Sequence, residues 1–289
     1  MKTAPGTVFV APGPLQGDGT SGLPGASEEY EAAYAWFCDD RAARVKLPVV
    51  WREMKIFVLT GAGISAESGL GTFRDKGGIW SRFDPMKLAT PDAFAHDPEA
   101  VHAFYNMRRK NLLGAEPNAA HRALARLEAG LLGDGGKIFL CTQNIDDLHE
   151  RAGSREVLHM HGELLKARCV HCEAVVPWRE DLGVVDPCPC CAQVGGLRPH
   201  VVWFGEMPME LETIYGQLAG ADLFVAIGTS GSVYPAAGFV DMARLQGIRT
   251  CEINLEPSDN ARVFNDRRYG PASEVVPAWV DETLGREPL

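Results

Sequence analysis

An apolar run, IFVLT, passes directly into the glycine-rich segment GAGISAESG, residues 61–69. A buried strand followed by a glycine-rich turn is typical of dinucleotide-binding α/β folds. In those folds, small residues in the turn let the backbone approach a pyrophosphate near a helix N-terminus. Gly61, Gly63 and Ala66 fit the pattern G-x-G-x-x-G/A. The acidic residue expected about 20 positions later is missing, since the segment that follows is too rich in glycine for a buried strand. These residues alone leave both a phosphate-binding turn and a plain glycine loop open.

Four further apolar runs resemble strands, and each ends in polar residues or glycine. Helical periodicity covers residues 90–132, where Asp97 and Pro98 indicate a helix start and Gly114 indicates a stop. Apolar runs separated by helices predict an α/β fold, a Rossmann-like parallel sheet with helices on both faces. In such sheets, ligands bind outside the carboxyl ends of the strands. The five runs with their ends are IFVLTGAG, KIFLCTQNID, HVVWFGE, ADLFVAIGTS and RTCEINLE.

The bulk composition excludes some functional classes. The formal net charge of the 289 residues is -10 and no lysine or arginine cluster stands out, so nucleic-acid binding is not supported. No apolar run approaches the roughly 18 residues of a membrane span, and no signal or transit peptide is recognisable, so we expect a cytoplasmic protein. An acidic surface suits lysine-bearing partners. Residues 1–53 are expected to be a flexible extension, with Met54 as an alternative start.

Five of the eight cysteines lie between residues 169 and 191. Cys169 with Cys172 and Cys188 with Cys191 form two C-x2-C pairs, a spacing that predicts one tetrahedral structural zinc site. Four thiolates leave no position for a substrate on the metal. Cys190 is an alternative to Cys191 as the fourth ligand.

Six segments, in this order, are together similar to the sirtuin family, and within it to the bacterial CobB-type NAD-dependent protein deacylases. The similarity runs from about Lys55 to the C-terminus. It implies a catalytic domain at residues 54–289, Rossmann-like at 54–80, 120–163 and 199–289, with a small inserted zinc-ribbon and helical domain from about 81–119 and 164–198. The segments are GAGISAESGLGTFRDKGGIW, TQNIDDLHERAG, HMHGELLKARC, LRPHVVWFGEMP, GTSGSVYPAAGF and INLEPS.

The resemblance implies that NAD lies across the strand ends. The glycine loop and Arg74 would bind the pyrophosphate, and Asp146 would help to hold the nicotinamide and its ribose. From sequence alone, Asp146 could instead cap a following helix. The cofactor-binding residues implied are Gly61, Ala62, Gly63, Ile64, Ser65, Phe73, Arg74, Trp80, Gln143, Asn144, Ile145, Asp146, Gly228, Thr229, Ser230, Asn254, Leu255, Glu256 and Ala272.

The implied reaction removes an acyl group from lysine on a protein and gives nicotinamide and 2'-O-acyl-ADP-ribose. His161 would be the general base, because the family pattern places this base directly before glycine, and a histidine pKa of about 6.5 suits proton transfer. From the residues alone His159 is equally placed; we expect it to pack. Mono-ADP-ribosyl transfer to protein and NAD or ADP-ribose binding without turnover are the alternative functions.

Tyr105 and Arg108 are three residues apart and share one helix face. A phenol and a guanidinium would bind the second carboxylate of succinyl- or malonyl-lysine. In the resembling branch of sirtuins this Tyr-x-x-Arg pair marks desuccinylases, which can also remove acetyl groups. A solvated helix face is the alternative. The segment VVWFGE would bind the substrate peptide as an added strand through Val202, Phe204, Gly205 and Glu206.

Overall fold

A computed structural model describes residues 54–72, 84–133 and 135–285 of the chain. The predicted extension, residues 1–53, lies outside this part. The strands are β1 (Lys55–Thr60), β2 (Lys137–Thr142), β3 (Val157–His159), β4 (Gly162–Cys169), β5 (Val175–Pro177), β6 (Leu197–Val201), β7 (Leu223–Ile227), β8 (Arg249–Asn254) and β9 (Asp266–Tyr269). The α-helices are α1 (Pro91–His96), α2 (Pro98–Gly114), α3 (Ala119–Gly133), α4 (Leu148–Arg151), α5 (Leu211–Ala219), α6 (Phe239–Leu245) and α7 (Ala272–Gly285).

Six strands form a parallel sheet in the order β3-β2-β1-β7-β8-β9. Both faces of β1 are buried, because Phe57 and Leu59 join an apolar cluster with α5 and α6, whereas Ile56 and Val58 join a cluster with α3 and α7. The predicted parallel α/β sheet with helices on both faces is therefore confirmed. With β1 between β2 and β7, the loops that follow these three strands lie side by side at one edge.

A second, antiparallel sheet has the order β5-β4-β6. The prediction that HVVWFGE supplies a strand of the parallel sheet is wrong, because the strand is Leu197–Val201 and it pairs antiparallel with β4. A buried apolar run has the same composition in either kind of sheet, so the pattern could not identify its partner. Ala167, Leu182 and Leu197 form a small core beside this sheet.

The predicted ends of the long helix are confirmed. The Asp97 carboxylate accepts a hydrogen bond of 3.0 Å from the N–H of Ala100, and α2 runs from Pro98 to Gly114. The Asn106 amide joins α2 to the cysteine-rich segment by bonding both the carbonyl and the N–H of Leu182, each at 2.9 Å. The division of the chain into two domains stays a prediction. Within the described ranges, no helix is long and apolar enough to cross a membrane.

Candidate active site

The glycine loop after β1 packs directly against the loop after β7. The N–H of Gly63 donates to the carbonyl of Gly228 at 2.9 Å. A Cβ on Gly63 would lie 2.7 Å from the Gly228 Cα, and a Cβ on Gly228, whose φ is +63°, would lie 2.4 Å from the Ile64 nitrogen. This backbone approach therefore requires glycine at both positions. The turn continues as a 3-10 helix, Ala62–Ser68.

The buried Ser65 hydroxyl cross-links the loops after β1 and β2. It donates to Asp146 Oδ2 at 3.0 Å and accepts from Asn144 Nδ2 at 3.1 Å. Asn144 Nδ2 also donates to the carbonyl of Gly61 at 3.1 Å. Asp146 Oδ1 accepts from the N–H of Leu148 at 3.2 Å, so the second oxygen bonds the first residue of α4, although the N-cap position itself is Asp147.

A buried histidine that the sequence did not single out completes this network. His121 Nε2 lies 3.3 Å from Ser65 Oγ, and Nδ1 accepts from the N–H of Asn118 at 3.3 Å. Because Nδ1 accepts, the hydrogen of the neutral ring sits on Nε2 and is donated to Ser65. Burial lowers the pKa of His121 to about 4, so the ring is neutral at pH 7. The ring of His149, also buried, packs against it with centroids 5.0 Å apart.

Among the described residues, His161 has a hydrogen-bond partner at one ring nitrogen only. Nδ1 lies 3.0 Å from the carbonyl oxygen of Gln143, so Nδ1 carries the hydrogen and Nε2 keeps its lone pair. Burial lowers the pKa of His161, although the Gln143 carbonyl opposes the shift. The neutral, half-buried imidazole is in the state that a general base requires.

His159 differs from His161 because both of its ring nitrogens have partners. Its Nδ1 lies 3.2 Å from the carbonyl oxygen of Asn144, and its Nε2 lies 2.6 Å from Glu150 Oε1. Burial favours a lower pKa for His159, but the Glu150 carboxylate outweighs burial and the net shift is upward. Both ring nitrogens of His159 are thus hydrogen-bonded within the protein, as expected of a packing role.

The residues predicted to bind adenosine follow β7 and β8 or begin α7. Asn254 Nδ2 donates to the carbonyl of Thr229 at 2.7 Å, which ties the two loops together. The N–H of Ser273, in the first turn of α7 beside Ala272, donates to Glu67 Oε1 at 3.0 Å and links the glycine loop to that helix. Ser230, Leu255 and Glu256 lie in the same two loops. Phe73, Arg74 and Trp80 lie outside the described residues.

A small pocket opens beside the loops after β2 and β7. Gln143 and Thr229 contribute polar groups to its lining, and Leu59 and Phe224 contribute apolar surface. It lies at the carboxyl ends of the central strands, where parallel sheets bind ligands. The glycine turn at the end of β1 and the amide of Gln143 at the end of β2 are groups that suit the phosphates and the nicotinamide of a dinucleotide.

Tyr105 and Arg108 lie together on α2, as their spacing predicted. The Arg108 guanidinium carbon is 5.8 Å from the Tyr105 ring centroid and 5.7 Å from that of Phe104. Tyr105 is buried, not on a solvated face, and its hydroxyl accepts from Trp203 Nε1 at 2.9 Å. Among the described residues, no carboxylate forms an ion pair with Arg108, whereas Arg109 is buried and donates to the carbonyl of Leu164.

The segment after β6 holds the predicted peptide-binding residues. The N–H groups of Val202 and Phe204 donate to the carbonyls of His161 and Ala89, each at 2.9 Å. A peptide strand added here would therefore use other backbone groups. The side chain of Glu206 forms an ion pair with Arg198. Gly205 is exposed and has a φ of +90°.

The sulfur atoms of Cys169, Cys172, Cys188 and Cys191 all lie within 4.8 Å of one another. The Cys169–Cys191 and Cys172–Cys188 separations are 3.8 and 3.7 Å. Zinc–sulfur bonds of about 2.3 Å put tetrahedral corners about 3.8 Å apart, so the four thiols fit one zinc ion. Cys190 contributes its N–H to Cys188 Sγ at 3.4 Å, while its own side chain is exposed. Cys191, and not Cys190, is therefore the fourth member of the group.

Comparison with known proteins agrees with this geometry. A family model described as the Sir2 family matches residues 61–235. The NAD-dependent protein deacylase of Caulobacter vibrioides is 64% identical over 236 residues, which are 81% of this chain and 98% of that protein. A solved mutant Sir2 homologue in complex with ADP-ribose has a TM-score of 0.74 and 39% identity, over 81% of this chain and 95% of that one. A solved Sir2 bound to acetylated peptide has a TM-score of 0.67 and 29% identity, over 80% and 93%. The chain therefore belongs to the Sir2 family, the sirtuins that its motifs resemble.

Proposed function

We propose that this chain is an NAD-dependent protein-lysine deacylase that removes succinyl and malonyl-type groups as well as acetyl groups. The deacylase function rests on one observation above the others: the Gln143 carbonyl fixes the hydrogen of His161 on Nδ1, which leaves Nε2 free to take a proton. His161 lies beside the loops that carry the Gly63 turn and the Ser65 network. The family relationship supports the same activity, since the Caulobacter relative is named an NAD-dependent protein deacylase.

NAD, when bound, would supply the ribose carbon that the acyl oxygen attacks, nicotinamide as the leaving group, and the ribose hydroxyl that finally carries the acyl group. The chain's residues bind it, orient it and move one proton. The backbone of the glycine turn would lie against the pyrophosphate. Gln143 and Asp146 would hold the nicotinamide end, and His161 Nε2 would take the proton of a ribose hydroxyl. Holding the reactants in attack geometry can supply roughly 7–11 kcal/mol of the barrier.

The preference for a carboxylate-bearing acyl group rests on Tyr105 and Arg108. Arg108 has no ion-pair partner among the described residues, and the Tyr105 hydroxyl bonds Trp203 only as an acceptor. An unpaired guanidinium and a phenol hydrogen on one helix face suit the terminal carboxylate of a succinyl-lysine. Proteins that carry acyl-lysine are the expected partners, and a cytoplasmic location stays a prediction.

The test is mass spectrometry of paired succinyl-lysine and acetyl-lysine peptides, with and without NAD. We expect NAD-dependent loss of both groups, no activity in His161→Ala, and a selective roughly ten- to hundredfold loss of desuccinylation in Arg108→Met. Lys110→Met, which removes an exposed cation from the same helix, is the matched control.

Three outcomes would contradict the proposal in different ways. Acetyl loss alone, with no effect of Arg108→Met, would remove the carboxylate pocket and leave the deacylase. A mass increase on the peptide would indicate ADP-ribosyl transfer. Binding of NAD without nicotinamide release would indicate a binding module.

A further inference from the structure

A buried indole fixes the direction of the Tyr105 hydroxyl. Trp203 is 3% exposed, and its Nε1 donates to the Tyr105 oxygen at 2.9 Å. An indole N–H can only donate, so the phenol oxygen must accept, and the phenol hydrogen must point elsewhere. Among the described residues, no acceptor lies within hydrogen-bond distance of that hydrogen. Tyr105 is therefore left as a donor with an unused hydrogen.

The indole is itself held in place from its other side. The Arg198 guanidinium carbon lies 3.4 Å from the Trp203 ring centroid, a cation–π stack. Glu206 accepts two bonds from Arg198, at 2.6 and 2.9 Å, and one from the N–H of Trp203 at 2.8 Å. The ring and the backbone of Trp203 thus contact one ion pair, in which Arg198 is buried and Glu206 is partly buried, so the indole N–H has little freedom to turn.

Arg198 and Arg108 differ in charge balance. The charge of Arg198 is matched by Glu206, whereas no carboxylate among the described residues forms an ion pair with Arg108, whose guanidinium carbon lies 5.7 and 5.8 Å from the ring centroids of Phe104 and Tyr105. Arg108 is therefore the cation still available to a ligand carboxylate. The Tyr105 hydrogen lies on the same helix face, so one anionic group can reach both donors.

We propose that Trp203 is a positioning residue for acyl selectivity: its indole N–H orients the Tyr105 hydroxyl as a donor to the acyl carboxylate, and the Arg198–Glu206 pair fixes the indole. This inference rests on the proposed desuccinylase function and adds a residue to it. Trp203 touches no substrate in this role and acts through Tyr105. Loss of the N–H lets the phenol turn, so the bond to the carboxylate must be formed from a disordered hydroxyl.

The test uses Trp203→Phe, which keeps an aromatic ring against Arg198 and removes only the N–H donor and the second ring. We expect the ratio of kcat/KM for succinyl-lysine over acetyl-lysine peptide to fall roughly three- to tenfold, through a higher KM for the succinyl peptide. In a Tyr105→Phe background the same substitution should change the ratio no further, since the pair acts as a unit. A purely structural role would instead lower both activities together.

A spectroscopic measurement follows the same bond without turnover. In protein labelled with ¹⁵N-tryptophan, the indole N–H signal that Trp203→Phe deletes should shift in Tyr105→Phe. An unshifted signal overturns the inference, as does an unchanged or equally reduced pair of activities in Trp203→Phe. Suppose that the wild type removes succinyl groups and that Arg108→Met impairs desuccinylation selectively. An unshifted signal, or an unchanged or equally reduced pair of activities in Trp203→Phe, then overturns only the role of Trp203. If the wild type leaves succinyl-lysine intact, both this inference and the proposed selectivity are wrong.

Discussion

At the residue scale, the hydrogen bonding of two histidines follows from their partners and not from their place in the chain. His159 and His161 are separated by a single residue, yet His159 contacts a carboxylate and His161 contacts a carbonyl. Those oxygens belong to residues 9 and 18 positions away, so the local sequence could not separate the two rings. Only the family pattern, with the base before glycine, predicted the assignment to His161.

The pH profile of the reaction should report the state of His161. A base is active when neutral, and burial lowers the pKa of His161 below its ordinary value of about 6.5. We therefore expect kcat/KM to be flat from pH 8 to about 6.5 and to decline only at lower pH. The measurement is kcat/KM for an acetyl-lysine peptide across this range, with recovery at pH 7.5 as the control for damage. A decline that begins above pH 7 would contradict this assignment.

Acid stability should depend on His121. The folded-state pKa of His121 is lowered to about 4, so protonation favours the unfolded chain as pH falls from 6.5 to 4, and this contribution to stability is lost across that window. A shift of this size corresponds to about 3 kcal/mol. Urea unfolding at pH 7 and pH 5 should show a smaller pH dependence in His121→Gln than in the wild type. Equal dependence in the two proteins would exclude a neutral buried His121.

At the element scale, strands and helix ends could be predicted where they depend on residues close together in the sequence. The apolar run before Gly61 gives β1, and Asp97 with Pro98 gives the start of α2, because burial and capping act within a few residues. The Ser65 network was not predictable, since its partners lie 56 and 81 positions away in α3 and in the loop after β2. An isolated histidine within a helix carries no signal for such a contact.

The packing between the loops after β1 and β7 should not tolerate a methyl group at Gly63. Gly63→Ala would place Cβ 2.7 Å from the Gly228 Cα, and overpacking of this kind costs about 1–3 kcal/mol. We expect a lower urea midpoint and weaker NAD binding by calorimetry. Gly216→Ala is the matched control, because Gly216 lies within α5 with open space around it and alanine should stabilise the helix by about 0.5–1 kcal/mol. Similar effects of both variants would argue against the close approach.

At the scale of the whole molecule, the cysteine group and α2 form a connected unit. The cysteine-rich segment contains Leu182, and the side chain of Asn106 in α2 bonds both the carbonyl and the N–H of Leu182. Helix α2 also contains Tyr105 and Arg108. The spacing of the cysteines predicted the group, because two C-x2-C turns can each supply two thiolates to one ion. The choice between Cys190 and Cys191 depended on side-chain direction, which spacing does not give.

Zinc content should distinguish the two adjacent cysteines. Cys191→Ser should lower bound zinc well below one ion per chain and lower the thermal midpoint, since the small core around Leu182 and Leu197 loses its cross-link. Cys190→Ser should keep both values near those of the wild type, because its side chain is exposed. Metal analysis after dialysis and thermal unfolding measure the two effects. Zinc loss in Cys190→Ser would contradict the assignment.

Because β1 lies between β2 and β7, the site cannot form until β7 has been synthesised. β1 leaves the ribosome early, but the N–H of Lys55 bonds Asp222, which is 167 residues further on. At about 5–20 residues per second, roughly 10 to 30 s separate the two. Through that interval one edge of β1 lacks its neighbour, and open strand edges pair readily with other chains. The nascent protein is therefore most exposed to aggregation before β7 is translated, and that is the window in which a chaperone would protect it.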